Sequence, residues 1–251
     1  MVSLIIYTMK TKIDKKYFYN NFFKEQLSIN KEEAGDPENS LKYIESLNIS
    51  RDAIILDIGT HIGSLPAKLY QAAYLNVRGL DISEEAIKYG QTKYPFLKEN
   101  LFSFDGEKLP FSDKIFDVVL MFDVLEHIPD INNFLSEINR VLKPNGLLVF
   151  QTPNKITNII WTLFSTKSFK KTKSFIQNDH CSLQTLLSLK KLLKNSSFTD
   201  VKIEKNYLRN EYDKNKINKK LGAGFLFLLP LFKILPLALF PNFWGVAKKS
   251  S

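Results

Sequence analysis

Four aspartates in the first half of the chain each stand at the end of an apolar run. They are Asp57 in LDIGTHIGSLP (56–66), Asp81 in VRGLDI (77–82), Asp105 in NLFSFD (100–105) and Asp123 in FDVVLMFD (116–123). The chain has three histidines, His61, His127 and His180. A carboxylate at a strand end accepts hydrogen bonds from the two hydroxyls of a ribose or from an amino group. An imidazole, with an ordinary pKa of about 6.5, exchanges protons at neutral pH. The turn after Asp57 carries glycines at 59 and 63. A dinucleotide turn, G-x-G-x-x-G counted from Gly59, needs glycines where His61 and Ser64 stand, so that reading fails. The pattern is instead an acid followed by glycines two and six positions on. Gly59 lets the backbone approach a ligand closely, and Gly63 starts a helix tightly against its strand. His61 reads as an exposed turn residue more readily than as a catalytic one.

The other stations have two readings each. Asp81 suits a ribose, or is simply the neighbour of a helix cap at Ser83. Asp105-Gly106 suits an adenine, with the carboxylate on the amino group and a backbone N–H on a ring nitrogen, or is a plain turn. In MFDVLEHIPD (121–130), Asp123, Glu126 and His127 stand at i, i+3 and i+4. One helical turn would point them to the same side, where they could hold a divalent cation. The reading preferred here is no metal, with Glu126 and His127 as cleft wall. The candidates for a general base are His180 and His127. His180 lies just ahead of a helix and can reach the cleft or cap that helix.

These side chains need a scaffold that brings strand ends together. AIILDI (53–58), VRGLDI, NLFSFD, FDVVLMFD, GLLVFQ (146–151), DVKIEKNY (200–207) and FWGVAKK (243–249) read as seven strands. Continuous apolar runs among them suit strands buried on both faces. Helices are expected at 63–74, after Ser83, at 131–142 with KPNG as its stop, and within 182–198. Two more fall in residues 11–50, the second capped by Ser40. Alternating strands and helices imply an α/β parallel sheet with right-handed crossovers, whose ligands bind outside the carboxyl ends of the strands.

The 251 residues are 44% hydrophobic and 13% aromatic, enough for one large core. Cys181 is the single cysteine, so no intrachain disulfide forms, and no leader is visible at the N-terminus; a cytoplasmic protein is expected. Residues 161–251 hold 17 Lys and Arg against 5 Asp and Glu, a charge of +12 in a chain whose net charge is +9. That is either a solvated surface or a face for a polyanion or an anionic membrane. Two segments exceed ordinary connections, about 152–182 and 208–242, and long loops at the ligand edge carry specificity. Leu221–Phe240 approaches spanning length but contains Pro230, Lys233 and Pro236. It reads as an interfacial hairpin flanked by Lys214, Lys216, Lys219, Lys220, Lys248 and Lys249, with Trp244 suited to the interface. The competing reading is an apolar lid or dimer contact.

ILDIGTHIGSL, GLDISEEAIKYG, FDGEKLPFSDKIFDVVLMFDVLEHIPD and INRVLKPNGLLVFQTPN together resemble the successive motifs of class I S-adenosylmethionine (SAM)-dependent methyltransferases. The nearest branch includes the ubiquinone and menaquinone methyltransferases and many small-molecule enzymes of methyltransferase type 11. The resemblance is strong over about residues 50–155 and looser over 179–206. It implies a Rossmann-like, doubly wound seven-stranded sheet with an antiparallel last strand. Residues 1–50 read as an N-terminal helical cap and 51–251 as the methyltransferase domain, with cap insertions at about 152–182 and 208–242. It implies SAM as cofactor, held by Asp57, Gly59, Thr60, His61 and Gly63 at the methionine end. Asp81 and Ile82 would face the ribose, Asp105 and Gly106 the adenine, and Phe122 and Asp123 the methyl-transfer cleft. His61 departs from the family pattern. The implied activity is methyl transfer to a small-molecule or lipid-linked acceptor, with oxygen the preferred atom, as in a quinone precursor or a glycan hydroxyl. The alternatives are carbon methylation of a quinone ring, RNA or protein methylation, and SAM binding without catalysis. No nucleic-acid partner is expected, because the amino-methylation motif is missing after the fourth strand, which reads FDVL, and no RNA-binding module is visible.

Overall fold

The computed structural model describes residues 12–29, 35–164, 180–205 and 236–251. Seven strands form one sheet in the order β3-β2-β1-β4-β5-β7-β6. They are β1 (Ile55–Ile58), β2 (Val77–Asp81), β3 (Leu101–Ser103), β4 (Phe116–Phe122), β5 (Leu142–Pro153), β6 (Phe198–Glu204) and β7 (Asn242–Lys249). β1 to β5 pair in parallel, and β7 runs antiparallel between β5 and β6. The expected fold is therefore present, including the antiparallel last strand. The chain steps outward from β1 to β3, then returns to lay β4 beside β1. In open α/β sheets ligands bind at such a reversal, outside the carboxyl ends of the strands, here those of β1 and β4.

The helices are α1 (Lys12–Ser28), α2 (Pro37–Ser46), α3 (Ser64–Gln71), α4 (Glu84–Lys93), α5 (Ile131–Val141), α6 (Lys155–Phe164) and α7 (Leu186–Asn195). Alternation along each strand splits the core into two layers. Leu56, Ile58, Val119, Met121, Leu148 and Phe150 face α5 and α7. Ile55, Val118, Leu120 and Val149 face α2 and α3. This is why the central strands read as unbroken apolar runs: both pleat faces are dry. α5 buries Ile131, Phe134, Leu135, Ile138 and Val141, the stripe its spacing predicts.

Two boundaries differ from expectation. Asp36, not Ser40, caps α2: its carboxylate accepts from the Asn39 N–H, and Pro37 sits at the first helical position. Proline has no N–H to satisfy there, so the turn residue before it takes the cap. Ser40 lies a turn inside, its hydroxyl on the Asp36 carbonyl. At the other boundary, α5 passes directly into β5, and residues 143–146 form an irregularity in the β4–β5 register rather than a separate connection. The Lys249 ammonium donates to the Asn139 and Leu142 carbonyls, satisfying the end of α5 with a cation, as its dipole favours.

α1 packs against α4 and the β1 turn through Phe23, Leu27, Ile62, Ala86 and Tyr89. No helix among the described residues is long and apolar enough to cross a membrane. Most of the expected hairpin at 221–240 and of the insertion at 208–242, and residues 165–179 of the insertion at 152–182, lie outside the described residues.

Candidate active site

At the end of β1 the chain makes a tight left-handed course. Gly59, His61 and Gly63 have φ of 76°, 55° and 81°. The N–H groups of Gly59 and Thr60 both donate to the Leu80 carbonyl, at 2.8 and 3.1 Å, tying the turn to β2. A Cβ on Gly59 would lie 2.3 Å from a Val124 methyl, so the turn after β1 touches the chain leaving β4. A Cβ on Gly63 would lie 2.8 Å from Leu101. Both glycines hold a left-handed φ that side chains rarely adopt, and an added Cβ would press on a neighbouring side chain at each.

Asp81 knits this turn to the end of β2. Its carboxylate accepts from the His61 N–H at 2.7 Å and from the Ser83 N–H at 2.8 Å. Burial raises its pKa, and the N–H groups of Ser83, His61 and Ile82 hold it down. Asp57 is deeper, 3% exposed. Burial pushes it up to about 7; the Thr60 hydroxyl opposes this and the charge of Asp81 adds to it. Two buried carboxylates close together favour a ligand that brings hydroxyl donors or positive charge. The neighbouring station is formed by Ile82 and by Gly106, whose Cβ would lie 3.1 Å from Ile82. Asp105 is half-buried, and its carboxylate accepts from the Glu107 N–H at 3.0 Å.

His61 is not the exposed turn residue expected. Its ring meets Phe23 of α1 edge-on, with centroids 5.1 Å apart, because α1 lies over the turn. Asn20 of the same helix accepts from the Ser83 hydroxyl and the Glu85 N–H. The Lys15 ammonium donates to the His127 carbonyl at 2.7 Å. Sequence reading missed all three α1 residues, since a polar-faced helix gives no register against the turn it covers.

Past β4, the expected helical turn of Asp123, Glu126 and His127 does not form. Asp123 stands at φ 55° and is exposed, its carboxylate taking the Gln151 amide at 2.7 Å. Only Leu125–His127 is helical, as a single 3-10 turn. Phe122 packs its ring against Trp244, centroids 5.4 Å apart, at the edge of the second core layer. Glu126 is 1% exposed and accepts from the Thr152 hydroxyl at 2.9 Å. Burial pushes its carboxyl up to about 8; the Asp123 charge adds to this and His127 opposes it. The Ser182 N–H donates to the Glu126 carbonyl at 3.0 Å, which clamps the 180–182 segment here. The His127 and His180 rings lie 4.9 Å apart. Ligating atoms of Glu126, His127 and His180 all fall within 4.8 Å of one another. The trio that comes together thus exchanges Asp123 for His180. Gln151 and Thr152, the polar pair ending the apolar run of β5, were the missed signal for its supporting bonds.

A family model described as a methyltransferase domain matches residues 32–203. The chain belongs to the methyltransferase-domain family. Over 102 residues the domain is 35% identical to a demethylmenaquinone methyltransferase of Chlorobaculum tepidum, covering 41% of this chain and 41% of the relative. Over 86 residues it is 36% identical to phthiotriol/phenolphthiotriol dimycocerosates methyltransferase 1 of Mycobacterium ulcerans, covering 34% of this chain and 31% of the relative. The methyltransferase domain thus spans between about a third and two fifths of the length of these curated relatives. In fold it is similar to a SAM-dependent methyltransferase structure from Thermotoga maritima, with a TM-score of 0.62 at 16% identity, over 93% of this chain and 99% of that one.

Proposed function

We propose that this methyltransferase domain binds SAM and methylates an oxygen of a small, hydrophobic or lipid-linked acceptor. The observation that carries this reading is the buried pair Asp57 and Asp81, laced to a left-handed glycine turn at the carboxyl ends of β1 and β2, with the Glu126–His127–His180 cluster following β4 on the same edge of the sheet. The residues fit the cofactor. Asp81 would hold the ribose hydroxyls, Asp105 and the Gly106 N–H the adenine, and the turn from Asp57 to Gly63 the cationic methionine end. When bound, SAM supplies a methyl group already activated on a sulfonium. The protein's remaining work is to orient the acceptor and to take one proton from its hydroxyl. His127 and His180 are the groups suited to that proton, and Glu126 and the Ser182 clamp hold them in place.

By name, the two relatives act on demethylmenaquinone and on phthiotriol/phenolphthiotriol dimycocerosates, which supports a lipid-like acceptor; the former also supports a quinone ring. The apolar stretch 221–240 and Lys214, Lys216, Lys219 and Lys220 ahead of it support delivery of that acceptor from an anionic membrane surface, whereas Lys248 and Lys249 sit at the opposite edge of the sheet. The test is transfer of radiolabelled methyl from SAM into lipid and aqueous extracts. Label in a lipid fraction is expected. SAM binding without label in either extract would leave a binding module, and NAD binding tighter than SAM would overturn the reading. For the membrane, wild type should co-sediment with anionic vesicles and lose this with Phe225→Asp plus Phe232→Asp. Wild type remaining in the supernatant at low salt refutes it.

A further inference from the structure

We propose that Glu126, His127 and His180 form a divalent transition-metal site at the acceptor end of the candidate active site. Their ligating atoms lie within 4.8 Å of one another, and the Glu126 Oε1 to His127 Nε2 separation is 3.9 Å. A tetrahedral ion with bonds of about 2.1 Å needs its ligand atoms about 3.4 Å apart. Each pair therefore has to close by no more than about 1.4 Å, which side-chain rotation can supply.

Three features show that the site is held in place by the fold. The Thr152 hydroxyl bonds one oxygen of Glu126 at 2.9 Å and leaves the other turned to His127, the outer-shell support that metal-ligating carboxylates use. The Ser182 N–H on the Glu126 carbonyl fixes the segment carrying His180, so the ligand remote in sequence is placed by the protein itself. Glu126 is 1% exposed, and a carboxylate buried to that degree is stabilised when a cation shares its site. Asp123 is not in the set; the Gln151 amide engages it.

The donors decide the ion. Two imidazoles and one carboxylate suit Zn²⁺, Mn²⁺, Co²⁺ or Fe²⁺, whereas Mg²⁺ and Ca²⁺ favour all-oxygen shells. Three protein ligands leave a position open, as catalytic rather than structural sites do. An acceptor hydroxyl bound there would release its proton to solvent more readily, so with the ion in place His127 and His180 would act as its ligands and the ion, not a free imidazole, would ionise the acceptor. That last role rests on the methyl-transfer reading; the site itself does not.

The experiment uses the full chain, stripped with chelator and titrated with Co²⁺ by visible absorption and with Zn²⁺ by competition calorimetry. One ion per chain is expected, with d–d bands and no thiolate charge-transfer band from Cys181. Glu126→Gln, His127→Ala and His180→Ala should each weaken Co²⁺ binding at least about tenfold. His61→Ala, at the remaining histidine, should leave it unchanged, and Asp123→Asn, which removes a neighbouring charge but no ligand, should weaken it less than any of the three. SAM calorimetry on every variant reports folding and tests the cofactor reading separately. His180→Ala, on a half-buried segment, decides the matter even where Glu126→Gln fails to fold. Wild type binding Co²⁺ no better than the His127→Ala, His180→Ala double variant overturns the proposal. So does an equal loss in Asp123→Asn.

Discussion

Asp81→Ala separates the binding role of this carboxylate from its structural one. The side chain accepts from the His61 and Ser83 N–H groups at 2.7 and 2.8 Å while only 9% exposed. Hydrogen bonds to a charged acceptor contribute about 1.5–3 kcal/mol each. Removing a carboxylate that burial already disfavours returns part of this. A net stability loss of about 2–3 kcal/mol is expected, read as a lower denaturation midpoint at constant m value. Loss of a charged acceptor for two ribose hydroxyls should cost a further ~2 kcal/mol of SAM affinity, about 30-fold in Kd. Asp81→Asn keeps one acceptor oxygen and should fall between. The assay is calorimetric titration at a temperature where circular dichroism shows the variant folded. Unchanged SAM affinity in a folded variant refutes the ribose assignment. Affinity that falls only in step with the unfolded fraction would make Asp81 a brace for the turn and nothing more.

Gly59→Ala places a methyl 2.3 Å from Val124 at φ 76°; SAM affinity should fall at least about tenfold, and Gly59→Ala with Val124→Ala should recover part of it, checked by the same calorimetry. Asp57, pushed up to about 7 from 3.8, stays protonated in the fold while the unfolded chain ionises, so it lowers stability progressively as pH rises from about 4 to about 7. The same ionisation should strengthen binding of a cationic cofactor, so SAM affinity rises from pH 6 to pH 8 in wild type; an equal rise in Asp57→Asn would remove Asp57 as the cause. His180→Ala should slow methyl transfer roughly 10²–10⁴-fold with SAM affinity intact, and a loss below about threefold in steady-state assays would return His180 to a structural role.

How far the site could be read in advance follows from how each part is built. The strands and their terminal aspartates were legible because a parallel sheet converts local patterns into position. An apolar run that ends in an acid puts that acid at the carboxyl edge, whatever the rest of the chain does. Asp57, Asp81 and Asp105 therefore fell where their types and spacing placed them. The turn's glycines were legible for a similar local reason, since left-handed φ and a close approach leave few other residues. The parts misread depend on contacts between segments distant in sequence. Spacing alone aligned Asp123 with Glu126 and His127, but the left-handed backbone at Asp123 and its bond to Gln151, 28 positions on, take it off that face. His61 looked solvent-facing until Phe23, 38 residues earlier, was laid over it. His180 joins Glu126 through a backbone bond from Ser182 that no periodicity announces. The cofactor half of the site is thus written in single turns and strand ends. The acceptor half is assembled from β4, β5 and the 180–182 segment, and variation in such remote partners can change the acceptor while leaving the cofactor turn unaltered.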